Sequence, residues 1–166
     1  MSFKEIFYAH KERVFSLCFR YLQQEQEAED AVQEVFVKVF HNLNTFKAES
    51  QIGTWIYRIA VNHCLDLLKS RKRKQQILRF VAFFPFVSEK ISHTELKLED
   101  KEAYQNLQDK LQLLPEKQLT ALLLNKLEGI PIEQVAQIMN LSYKAVESLL
   151  QRGKQNLQKH LNNTKE

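Results

Sequence analysis

The sequence predicts an all-α protein made of two small helical domains joined by a linker. Three observations carry this expectation. Gly and Pro number only three each in 166 residues, too few for the many tight turns of a β-rich fold. Apolar residues recur at helical spacing in both halves. Between the halves, from Gln76 to Asp100, that spacing lapses.

Phe3, Phe7, Val14, Leu17 and Tyr21 share one face of a first helix. The polar break QQEQE follows. A second helix then carries Ala28, Ala31, Val32, Val35, Phe36, Val39, Phe40 and Leu43 as its apolar stripe. Glu27, Glu29 and Asp30 sit near its start, where the helix dipole favours negative charge. After the loop NTFKAESQIG, a third helix runs from Thr54 past Leu68, with Trp55, Ile56, Ile59, Ala60, Leu67 and Leu68 inward, and ends in the basic run KSRKRK. These elements make a first domain over 1–75. The linker covers 76–100 and the second domain 101–162.

In the second domain one helix is expected from about Lys101 to Leu114, stopped by Pro115, and another over Gln118 to Lys126. Gly129 suits a helix C-terminal cap. Ile132 to Met139 and Tyr143 to Leu161 are the last two helices, the second with Ser142 as N-cap.

Composition narrows the function. With 44% apolar residues the chain can bury a core. Its net charge of +4 favours an anionic partner. Cys18 and Cys64 have no second cysteine at metal-ligand spacing and read as reduced, as in a reducing compartment. The N-terminus has no uninterrupted apolar stretch, and no apolar run approaches the roughly 20 residues that span a bilayer, so a cytoplasmic location without membrane insertion is expected. The five histidines are scattered. Without metal spacing, a glycine-rich phosphate loop or a nucleophile–base pair, no catalytic residue, metal or cofactor is expected.

Ile132 to Gln151, IEQVAQIMNLSYKAVESLLQ, fits a helix-turn-helix. Ala136 is small where two helices cross, and Asn140 sits where a left-handed turn is needed. The exposed side of the second helix would carry Tyr143, Lys144, Glu147, Ser148, Gln151, Arg152 and Gln155, able to meet base edges and phosphates. In the first domain, Phe46, Lys47, Glu49, Ser50 and Gln51 lie on a polar loop. Arg58, Asn62, Lys69 and Arg71 lie on the helix behind it. Aromatic, amide and cationic groups together are what single-strand capture requires. In DAVQEVF, Asp30, Gln33 and Glu34 share a polar helix face suited to docking.

AEDAVQEVFVKVF, FKAESQIGTWIYRIAVNHCLDLLKSRKRK and LPEKQLTALLLNKLEGIPIEQVAQIMNLSYKAVESLLQRGKQNL, in that order, resemble the bacterial sigma factors of the extracytoplasmic-function (ECF) group. The resemblance implies a subunit that binds core RNA polymerase, brings it to promoters and helps melt the −10 region. The first domain would be sigma region 2-like. Asp30, Gln33, Glu34 and Phe36 would dock on the polymerase clamp helices, and the Phe46 loop with Asn62 would capture unpaired −10 bases. The second domain would be region 4-like, with its helix-turn-helix, Ser142 to Gln155, reading the −35 element of promoter DNA. It also makes an anti-sigma partner plausible. Glu147, Leu149 and Asn140 depart from the usual pattern, so the preferred −35 sequence stays open. A stand-alone helix-turn-helix regulator would explain the second half but leave DAVQEVF and the Phe46 loop without a role. The apolar stretch RFVAFFPFVSE, with Phe80, Val81, Phe83, Phe84, Phe86 and Val87, would either pack between the halves or dock on the polymerase or an anti-sigma partner.

Overall fold

A computed structural model describes residues 2–48, 50–81 and 98–162. Glu49 and most of the Phe80 to Val87 stretch lie outside the described residues. All seven α-helices among the described residues follow the expected order, and these residues contain no strand.

The first half is a three-helix bundle of α1 (Phe3–Leu22), α2 (Glu25–Asn42) and α3 (Ile52–Val81). Ser2 starts α1 with a reciprocal cap. Its hydroxyl accepts from the Glu5 N–H, and the Glu5 carboxylate accepts from the Ser2 N–H at 2.7 Å. These hydrogen bonds hold the Glu5 carboxyl below its usual pKa. Gln23 ends the helix in the left-handed region at φ 59. Ile6, Val14, Leu17 and Tyr21 from α1 meet Ala28, Ala31, Val35 and Val39 from α2 and Ile56, Ala60 and Cys64 from α3. The small residues Ala28, Ala31 and Ala60 let the helices approach closely.

Two residues of the expected stripes face outward. Phe40 is 58% exposed, with its ring edge-on to Phe3, the first residue of α1. Leu67, expected inward, is 37% exposed at the edge of the α2–α3 groove. The third helix also runs further than expected. No Gly or Pro interrupts KSRKRKQQILRFV, and Lys, Arg, Gln and Leu favour helix, so α3 continues to Val81. The next helix begins at Leu98.

The second half contains α4 (Leu98–Gln112), α5 (Glu116–Leu122), α6 (Ile132–Met139) and α7 (Tyr143–Asn162). Pro115 precedes α5 and offers its carbonyl to Gln118 and Leu119. A π-helical turn, Leu123–Leu127, follows α5 directly. Gly129, at φ +68, then lets the Ile130 N–H return to the Leu124 carbonyl. Gly153 lies midway along α7, where a Cβ would stand 3.0 Å from a Leu122 methyl carbon. Glycine therefore sets how closely α5 and α7 pack. Asn140 takes φ 53, ψ 49 between α6 and α7, the left-handed turn that the helix-turn-helix needs.

The two halves do not stand apart. Their apolar residues form one continuous core. The Tyr21 hydroxyl donates to Thr120 Oγ1 at 2.8 Å with both side chains buried, and burial pushes the Tyr21 pKa upward. Glu128, beyond α5, accepts from Ser16 at 2.9 Å and from Arg20 at 2.7 Å. Arg58 on α3 donates to the Gln137 carbonyl on α6.

Candidate nucleic-acid and protein interfaces

Three surfaces carry the residues singled out in the sequence. The first is on α2. Its inner side buries Ala28, Ala31, Val35 and Val39, so Asp30, Gln33 and Glu34 point outward, exposed and close to one another. Phe36 is placed differently. It is 3% exposed, and its ring packs edge-on against Phe7 at 4.8 Å between centroids. It can shape this face but does not present itself to a partner. Val37, Phe40 and Tyr8 are the exposed apolar groups on these two helices. Sequence reasoning missed them as surface. Val37 lies off the apolar stripe, the one signal that could have marked it as exposed.

The second surface surrounds the loop between α2 and α3. A short 3-10 turn, Leu43–Thr45, leads the chain out of α2, and Ala48 takes a left-handed φ of 55. For a residue with a Cβ, that conformation costs about 1–2 kcal/mol and needs support from its surroundings. The loop lays Phe46 against Trp55, with ring centroids 5.1 Å apart and planes tilted by 40°. Beside them is an open cavity of about 320 Å³ lined by Thr45, Phe46, Lys47, Ser50, Trp55, Arg58 and Gln137. Aromatic, hydroxyl and cationic groups thus converge on one hollow, a chemistry suited to a base and its phosphate.

Asn62 lies one turn further along α3, exposed, in an adjoining hollow with Trp55, Asn42 and Asp66. His63 also lines it. Burial and Lys38, whose Nζ is 2.9 Å from Nδ1, hold its pKa below the ordinary value.

Not every basic residue of α3 is free for DNA. Arg71 is paired with Glu27 and also donates to the Leu22 carbonyl at the end of α1. It therefore fastens α3 to the α1–α2 corner. Lys69 reaches Glu116 at 3.7 Å, across to the second half. Lys72, Arg73 and Lys74 remain exposed. Nothing in an i, i+3 pattern reveals that a distant acid claims a cation, so the sequence could not separate these cases.

The third surface is α7. Ser142 Oγ accepts from the Ala145 N–H at 3.2 Å and caps the helix. Val146, Leu150 and Gly153 face inward. Tyr143, Lys144, Glu147, Gln151, Arg152 and Gln155 are exposed, with Ser148 half-buried among them. The Arg152 guanidinium also donates to the Ser148 carbonyl one turn back. Lys126 and Lys154 line the same groove as Lys144, Glu147 and Gln151. They were missed because one lies outside the motif and the other beyond its first turns. They add positive charge beside the helix that would enter a groove of DNA.

No helix among the described residues is long and apolar enough to cross a membrane. No cluster of His, Cys, Asp and Glu among them could hold a metal ion.

Comparison with known proteins places both halves. Residues 6–74 match the family model for sigma-70 region 2, and residues 104–157 match that for sigma-70 region 4. The chain is 27% identical to the ECF RNA polymerase sigma factor SigW of Bacillus subtilis, over 96% of this chain and 89% of that one. It is 31% identical to the ECF RNA polymerase sigma-E factor of Escherichia coli K12, over 89% of this chain and 79% of that one. A solved structure of the sigma factor RpoE from Bartonella quintana, in complex with the anti-sigma factor NepR, shares the fold. Its TM-score is 0.71, its identity 21%, and the match covers 96% of both chains. With both sigma regions present in order on an all-helical fold, the chain belongs to the ECF group of RNA polymerase sigma factors.

Proposed function

We propose that the chain acts as the promoter-selecting subunit of RNA polymerase, with the three surfaces dividing the work. Asp30, Gln33 and Glu34 dock on the core enzyme, with Val37 and Phe40 supplying the apolar part of that contact and Phe36 supporting it from within. The hollow at Phe46, Lys47, Ser50, Trp55 and Arg58, with Asn62 beside it, takes an unpaired base of the −10 element. Tyr143, Lys144, Glu147, Ser148, Gln151, Arg152 and Gln155 read the −35 element from the major groove, with Lys126 and Lys154 on nearby phosphates.

The observation that carries this reading is the Phe46–Trp55 pair beside an open, partly cationic hollow. Holding a base there offsets the few kcal/mol lost when it leaves the stack, so melting needs no separate energy source. A stand-alone duplex-binding regulator would have no use for such a hollow. Residues 82–97, fully extended, span roughly 55 Å, on the order of sixteen base-pair steps, which lets one chain reach two separated elements.

On this reading the chain is not an enzyme and needs no cofactor, because phosphodiester chemistry belongs to the polymerase. It works in the cytoplasm, where the polymerase is. An anti-sigma factor is a further partner, as for the RpoE relative crystallised with one. Run-off transcription with core polymerase tests the assignment: the chain should yield discrete transcripts that core enzyme alone does not make.

A further inference from the structure

Lys38 on α2 meets His63 on α3, with Nζ 2.9 Å from Nδ1. A lysine ammonium has three donors and no acceptor, so Nδ1 must accept. The neutral ring then carries its proton on Nε2. No carboxylate among the described residues forms an ion pair with Lys38. Its charge is thus held in place without being neutralised, on an exposed side chain, while His63 is half-buried.

The pair stands beside the base-capture site. Both residues line the hollow of about 310 Å³ that also holds Asn62 and Trp55. Trp55 lines the Phe46 hollow too, so the two hollows adjoin at one indole. A strand that lays a base against Phe46 carries a phosphate on either side of that base.

Lys38 and Glu34 face His63 from α2, and Asp66 lies one turn along on α3. Burial, and then Lys38, oppose a proton on the ring, whereas Glu34 and Asp66 favour it. Glu27, Asp30, Arg71 and Lys74 line the groove on the other side of His63, where Arg71 is already paired with Glu27.

Resting on the base-capture reading, we propose that His63 and Lys38 form a proton-linked seat for a backbone phosphodiester of the −10 strand. At neutral pH Lys38 offers its charge and His63 its Nε2–H. When a proton from water adds to Nδ1, the bond to Lys38 breaks and two cations stand side by side. A phosphate relieves their repulsion, so strand and proton each favour the other by the same factor. The His63 pKa is therefore higher in the complex than in the free protein. Strand affinity rises as pH falls through the higher value and levels off below the lower one.

The tautomer is read on the full chain from the ¹⁵N shifts of His63 at about pH 7.5. A proton on Nε2 is expected, and a proton on Nδ1 overturns the pair. The linkage is read with the chain assembled on core polymerase. Anisotropy measures affinity for a fluorescein-labelled single strand carrying a −10 sequence recovered by run-off transcription. Between about pH 7.5 and about pH 5.5, wild type should tighten about three- to tenfold more than His63→Gln does. His63→Arg, a permanent cation, should lack this extra response and bind more tightly than His63→Gln at both pH values. It also keeps the test available should His63→Gln fail to assemble.

A response to pH in His63→Gln or His63→Arg equal to that of wild type overturns the seat. Phe46→Ala separates the two readings. If it leaves strand affinity unchanged, the base-capture reading fails, while the comparison of wild type with the His63 variants still decides the phosphate seat.

Discussion

The Tyr21 hydroxyl donates to Thr120 Oγ1 at 2.8 Å, joining α1 to α5 across 99 residues of sequence with both side chains buried. Tyr21→Phe keeps the ring and deletes the donor, leaving the Thr120 hydroxyl without this partner. A buried polar group so abandoned costs about 1–3 kcal/mol. Chemical denaturation should show a loss of that size. Tyr21→Phe combined with Thr120→Val should recover part of it, because both polar groups are then gone.

Asn140 carries the turn of the helix-turn-helix at φ 53. Asn140→Ala puts an ordinary Cβ in the left-handed region and should cost about 1–2 kcal/mol, while Asn140→Gly should hold stability close to wild type. Equal melting temperatures for all three would show that the turn relaxes to another conformation.

The proposed docking face mixes the exposed polar residues Asp30, Gln33 and Glu34 with the exposed apolar residues Val37 and Phe40. Replacing Asp30 and Gln33 together by alanine should abolish co-purification with core polymerase and leave the helical circular dichroism intact. Phe40→Ala, at a site that is 58% exposed, should weaken co-purification with little change in stability. Phe36→Ala should instead destabilise the bundle by about 3–5 kcal/mol, since its ring is packed inside. Unchanged co-purification of the Asp30 and Gln33 variant would remove α2 from the docking role.

On α7, Arg152 is exposed and donates to the Ser148 carbonyl one turn back. Arg152→Glu should weaken −35 binding roughly uniformly across sequences, through phosphate repulsion, and lower the salt dependence. Glu147 sits among base-facing candidates, so Glu147→Gln should alter preference among sequences more than overall affinity. Selection of binding sites from a random duplex pool, repeated at two salt concentrations, separates the two effects.

The fold was legible wherever its signal was local. Ala136 and Asn140 mark the helix-turn-helix within five residues, and the apolar stripes of α1 to α3 repeat at helical spacing. The end of α3 was less legible, because charge resembles a boundary when composition alone is read. A basic run of good helix formers simply continues the helix to Val81.

The polar contacts between the halves rest on residues that periodicity does not mark. Glu128 meets Arg20 across 108 residues, and Arg58 meets Gln137 across 79. Within the candidate sites, exposure of Asp30, Gln33, Lys144 and Gln151 followed from their places opposite apolar stripes. The burial of Phe36 follows from its place in the apolar stripe of α2, whereas the pairing of Arg71 with Glu27 depends on a neighbouring helix, which a single helix's pattern does not contain.

The central claim is that this chain, with core polymerase, opens promoter DNA by holding a base at Phe46 and Trp55. Permanganate footprinting on a promoter recovered by run-off transcription tests it most directly. Wild type should make thymines of the −10 region reactive. Phe46→Ala and Asn62→Ala should leave the initial complex in place, as read by mobility shift, and reduce that reactivity at least severalfold. Reactivity equal to wild type in Phe46→Ala would contradict the claim.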